Sequence, residues 1–179
     1  MAENDHPQGD GAAAPDMAEA PLAGLIAQYV KDLSFENPGA PDVLEKVGSG
    51  ERPEMKVDLG LNASKHGEAR YEVDLKIQVT SVRAGETIFV IELDYAGLFE
   101  VRNVPEAQLQ LFLLVQAPNL LFPFVRRIVA DLTQDGGFRP LLLDPIDFAA
   151  LYQQRAQQMQ QQQRSQVLAS GSATGDTIN

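Results

Sequence analysis

Tyr71-Glu72-Val73-Asp74-Leu75-Lys76-Ile77-Gln78-Val79-Thr80 alternates apolar and polar side chains without a break. A strand points successive side chains to opposite faces, so Tyr71, Val73, Leu75, Ile77 and Val79 form one face that must be covered. Glu72, Asp74, Lys76, Gln78 and Thr80 form the other. A turn at Arg83–Glu86, containing Gly85, leads into Thr87–Tyr95, where Phe89, Ile91 and Leu93 oppose Ile88, Val90, Glu92 and Asp94. The two segments read as a hairpin and hence as part of an antiparallel sheet.

Two earlier segments share this period. Tyr29, Lys31, Leu33 and Phe35 alternate with Val30, Asp32, Ser34 and Glu36, and Asn37–Pro41 ends the run. Met55, Val57, Leu59 and Leu61 alternate with Glu54, Lys56, Asp58 and Gly60. After Gly97-Leu98-Phe99 the period becomes helical. Pro105-Glu106 marks a helix start, and Leu109, Phe112 and Leu113 follow at helical spacing, with Leu111, Leu114 and Val115 making this helix apolar nearly all round. Asn119 is the expected N-cap of a second helix with Pro123 in its first turn, an apolar stripe Leu121, Phe124, Val125, Ile128, Val129 and Leu132, and a stop at Gly136-Gly137. Asp147 is placed to cap a last helix carrying Phe148, Leu151 and Tyr152. Strands first and helices after them predict an α+β domain. Its expected limits are 22–163, between an acidic disordered tail at 1–21 and a disordered tail at 164–179 behind the Gln-rich tract.

The chain of 179 residues carries a formal charge of −11 and no cysteine. That charge disfavours nucleic acid and anionic membrane surfaces and favours encounter with a basic protein segment. Glu3, Asp5, Asp10 and Asp16 stand where a secretory signal would carry Lys or Arg, and apolar runs such as Leu111–Val115 fall short of the about 20 residues of a membrane span, so a cytoplasmic protein is expected. His6 and His66 lie in polar segments without a positioned partner, no phosphate-cradling glycine motif occurs, and Asp144 and Asp147 sit in turn and cap contexts. The expectation is therefore a non-enzyme without metal or cofactor. Two features ask for a partner. Asp32, Glu36, Glu92 and Asp94 lie beside Ile88 and Val90 on the presumed outer sheet face, which is either an ordinary solvated face or a protein-binding patch. The surplus of apolar helix surface points to self-association or an open groove.

The run Ala117-Pro118-Asn119-Leu120-Leu121-Phe122-Pro123-Phe124-Val125-Arg126 resembles the helix motif of the SecB-type protein-export chaperones. The resemblance extends to Tyr29-Val30-Lys31-Asp32-Leu33-Ser34-Phe35-Glu36, Tyr71-Glu72-Val73, Gly97-Leu98-Phe99 and Pro140–Tyr152 with its Asp147-Phe148. It implies a four-stranded antiparallel sheet backed by helices and assembled as a dimer of dimers. It also implies an ATP-independent chaperone that keeps unfolded secretory precursors export-competent and hands them to the translocase motor SecA. By the same resemblance Asp32, Glu36, Val90 and Glu92 contact the basic C-terminal tail of SecA, and Met55, Val57, Leu59, Leu121, Phe124, Val125 and Ile128 line the client groove. The runner-up expectation is a soluble carrier for an apolar small molecule.

Overall fold

The computed structural model describes residues 20–45 and 52–171; the expected acidic tail falls almost wholly outside them. Four strands, β1 (Leu22–Glu36), β2 (Glu54–Lys65), β3 (Arg70–Arg83) and β4 (Glu86–Arg102), form one antiparallel sheet in the order β1-β4-β3-β2. The β3–β4 turn consists of Ala84 and Gly85, both at positive φ (51° and 82°), between paired Arg83 and Glu86. This twist matches that of the flanking strands.

Register gathers the apolar parity of each strand on one face. Val79 pairs with Ile91 and Val57, Ile77 with Leu93 and Leu59, and Leu75 with Tyr95 and Leu61. Val73, Leu75, Val79, Ile91 and Phe99 are wholly buried there.

The cover is helical. A single turn, α1 (Asp42–Glu45), tucks Val43 into the core. Beyond β4, α2 (Glu106–Leu111), a π-helical turn (Phe112–Gln116) and α3 (Ala117–Asp135) run on without interruption. Here the structure differs from the expected pair of helices. Pro118 has no N–H to offer the carbonyl one turn back, and the backbone switches spacing, with the Ala117 N–H donating to the Phe112 carbonyl. Asn119 caps nothing; its side-chain amide donates to the Val115 carbonyl at 2.8 Å. The resulting helix, Glu106–Asp135, is long and apolar enough to cross a membrane by length and composition, which the short runs in the sequence did not suggest. In the fold its Leu121, Val125 and Val129 are spent on the sheet, each wholly buried. The close approach depends on Gly97 of β4, where an added Cβ would sit 2.8 Å from a Leu121 methyl.

The last helix, α4 (Phe148–Gly171), starts as expected: Asp147 accepts a bond from the Ala150 N–H at 2.9 Å, and Phe148 packs edge-on against Phe122 at 6.0 Å. It continues to Gly171, past the residue-163 limit expected for the ordered domain.

Leu121 is therefore a core residue of the sheet–helix seam. Leu121→Ala should lower stability by about 2–5 kcal/mol, the range for truncating a buried leucine, read as a lower urea midpoint with the transition slope unchanged.

Candidate functional site

The two faces of the sheet carry opposite chemistry. On the outer face, away from the helices, Glu36 lies opposite Val90, Ser34 opposite Glu92, and Asp32 opposite Asp94. The four residues expected to meet a basic partner are thus brought together on two neighbouring strands, with Asp32, Glu36 and Glu92 exposed and Val90 half-buried. Asp58 of β2 extends the acidic strip, because it pairs with Gln78 on the same parity. Asp32, Asp58, Glu92 and Asp94 surround an open depression of about 400 Å³ whose floor includes Gly60 and Lys76. Lys76 binds Asp94 at 3.2 Å, and Gln78 donates to Glu92 at 3.1 Å.

Two expectations about this face need correction. Ile88 does not share it with Val90: the register shifts between Ser81 and Val82, and Ile88 turns into the core at 5% exposure. The first strand does not alternate uniformly either. Register shifts between Leu25 and Ala27 and between Val30 and Asp32 invert residues 27–30, so that Val30 faces the helices opposite Tyr95, and Tyr29 faces outward opposite Ala96. Tyr29 and Lys31 leave the side of Leu33 and Phe35, where unbroken alternation would put them.

Their outward position builds a network that pattern reading missed. The Tyr29 hydroxyl donates to Glu72 at 2.7 Å, and the Lys31 ammonium bonds both Glu72 and Asp74, the latter at 3.2 Å. Asp74 is buried to 2% exposure, so a cation is needed beside it. The bond from Lys31, with the Tyr29 hydroxyl second, holds Glu72 at about 2 against an ordinary 4.5. The same bond raises the Lys31 value, and donation to Glu72 raises that of Tyr29. The sequence signal was a lysine and a tyrosine on an apolar parity.

The helix-facing side carries the expected groove residues, but in different roles. Met55 and Val57 are 40% and 44% exposed, on the edge strand β2, and Leu59 beside them is half-buried. Their row runs to a hollow of about 110 Å³ bounded by Leu59, Leu61, Leu114, Leu151, Tyr152 and Arg155. Phe124, 38% exposed, stacks on Tyr95 of β4 at 6.3 Å, with half-buried Ile128 one helical turn on. Because β3 separates β4 from β2, these residues form two apolar patches. Val30 and Leu33 of β1, exposed and opposite Tyr95 and Leu93, enlarge the second patch. Leu121 and Val125 contribute no surface to either, since both are wholly buried beneath α3. A stripe of helical period does not separate the residues that face the sheet from those beside them.

Comparison with known proteins agrees with this geometry. Residues 16–159 match the family described as preprotein translocase subunit SecB. The chain belongs to the SecB family. The protein-export protein SecB of Sphingopyxis alaskensis is 56% identical over 144 residues, covering 80% of this chain and 82% of that relative. That of Rhizorhabdus wittichii is 51% identical over 138 residues, covering 77% and 81%. Among solved structures, a Mycobacterium tuberculosis SecB-like chaperone, in complex with a ChAD peptide from an antitoxin, superposes with a TM-score of 0.58 at 16% identity, covering 69% of this chain and 90% of that one. Membership of the SecB family makes the chain a protein-export chaperone.

The Glu72 value predicts an acid dependence of stability. A carboxyl depressed in the folded state contributes stability that is complete above its unfolded value near 4.5 and is lost as pH falls toward about 2. Urea midpoints measured between about pH 5 and pH 2 should therefore fall more steeply in the wild type than in Lys31→Met, which lacks the bond responsible.

Proposed function

We propose that the chain is an ATP-independent holding chaperone of the cytoplasm, a homotetramer built as a dimer of dimers. It binds unfolded secretory precursors on the apolar helix side and presents its acidic outer face to the C-terminal tail of SecA. The observation that carries this reading is the separation of the two surfaces. Asp32, Glu36, Val90 and Glu92 lie on one side of the sheet, and Met55, Val57, Leu59, Phe124 and Ile128 project on the other. A client and a basic motor segment therefore engage opposite faces and need not compete.

Each surface suits its ligand. Apolar burial at about 25 cal/mol per Å² needs no sequence motif, so patches of this kind accept many unfolded chains and ignore folded ones that hide such surface. Clustered carboxylates on a rigid sheet attract Lys and Arg, and half-buried Val90 adds an apolar contact. Leu121 and Val125 act beneath the groove by holding α3 in place.

Assembly is supported by β1. As an edge strand it exposes Leu22, Leu25, Ile26, Val30 and Leu33 along an unpaired backbone, a surface that invites another copy. The carrier alternative has less support among the described residues: the apolar hollow at Leu59 and Leu61 holds about 110 Å³, whereas small-molecule pockets span roughly 300–1,000 Å³, and the depression of about 400 Å³ is open and ringed by carboxylates.

The division of labour is testable by substitution on each face. Asp32→Ala and Glu92→Lys should weaken binding of a SecA tail peptide about tenfold, measured by titration, and leave retention of an unfolded precursor unchanged. Phe124→Ser combined with Met55→Ser should do the opposite. Equal loss of both activities in either set would contradict the two-face assignment.

A further inference from the structure

The acidic outer face does not end where its carboxylates end. Glu72 and Asp74 of β3 continue the parity of Lys76 and Gln78, yet both are engaged by Lys31 from β1, two strands away. Three features of the chain deliver that cation. The register shift between Val30 and Asp32 makes Lys31 an extra residue, so it shares the outer side with Asp32 instead of alternating with it. The shift between Leu25 and Ala27 ends the inverted segment, so only residues 27–30 are turned over and Tyr29 alone of the aromatic residues of β1 is sent outward. Ala96 of β4, opposite Tyr29 of β1 and Asp74 of β3, is low enough for the Tyr29 and Lys31 side chains to pass over β4.

The outcome is a boundary between exposed carboxylates and engaged ones. On one side lie Asp32, Glu36 and Glu92, exposed. On the other lie Glu72 and Asp74, closed by an ammonium and a phenol. We infer that Lys31 is a positioning and specificity-determining residue of the acidic face: it occupies Glu72 and Asp74 and so confines a basic partner segment to the strip Asp32–Glu36–Glu92. The inference rests on the proposed role of that strip as the docking surface. A basic segment drawn along the sheet meets a like charge at Lys31, and its register is set there.

Zero-length carbodiimide coupling of a Lys/Arg-rich peptide to the full-length chain, mapped by mass spectrometry, tests this. In the wild type, adducts are expected at Asp32, Glu36 or Glu92 and none at Glu72. In Lys31→Gln an adduct at Glu72 should appear, with affinity about two- to fivefold higher and a steeper salt dependence, as for one added exposed ion pair. Lys31→Arg, which keeps the cation, should restore the wild-type footprint. A small amine, glycinamide, coupled in parallel reports whether Glu72 is merely accessible. Peptide adducts at Glu72 in the wild type, or a Lys31→Gln chain whose Glu72 takes glycinamide but never the peptide, overturn the role of Lys31 and leave the docking strip standing. Absence of adducts at Asp32, Glu36 and Glu92 overturns the docking strip itself, and this inference with it.

Discussion

The seam between β3–β4 and α3 governs everything else in the fold. Val73, Leu75, Ile77 and Val79 of β3, with Ile91, Leu93 and Phe99 of β4, present a flat apolar surface that water cannot be allowed to reach, and α3 closes it with Leu121, Val125 and Val129. One helix over a four-stranded sheet is narrower than the sheet. The centre is sealed, and the edge strands β1 and β2 keep exposed apolar side chains on the helix side, among them Leu33 and Val57. The same alternation that fills the core forces the polar parity outward, so Glu92, Asp32 and Asp58 gather on the opposite face. The incomplete cover and the acidic face are two consequences of one periodic pattern.

How much of this was legible in the sequence follows from which rule governed each segment. In β3 the alternation is unbroken, and its face and the following turn could be read directly. In β1 and at Ile88 the pattern misleads, because a bulge inserts one residue and breaks the alternation locally; Lys31 on an apolar parity hints at the shift in β1, and Ile88 gives no such hint. Pro118 and Asn119 carried true helix-boundary chemistry, and the chain met it with a π-helical turn inside one continuous helix. The acidic residues were found because charge on a strand parity is visible in one dimension. The split of the apolar stripe was not, since Leu121 and Phe124 differ only in azimuth around α3 and the sheet decides which of them is sealed.

Under the proposed function, the molecule separates two kinds of recognition that would interfere on one surface. Apolar patches are indiscriminate and suit unfolded chains; an acidic strip is long-ranged and suits a basic partner. The sheet insulates one from the other, and the Tyr29–Lys31–Glu72–Asp74 network ties the edge strand that bears both Leu33 and Asp32 to β3. Under the proposed function such a body requires no catalytic residue, because holding a client and passing it on are both binding equilibria.

The central claim is that the exposed apolar helix side retains unfolded polypeptide. Its most direct test is the refolding rate of a secretory precursor diluted from denaturant into increasing amounts of the full-length chain, with the mass of any complex measured alongside. The account predicts refolding that slows in step with added chain and a complex that holds the unfolded precursor. An unchanged rate in the presence of a large excess, with no complex formed, would contradict it.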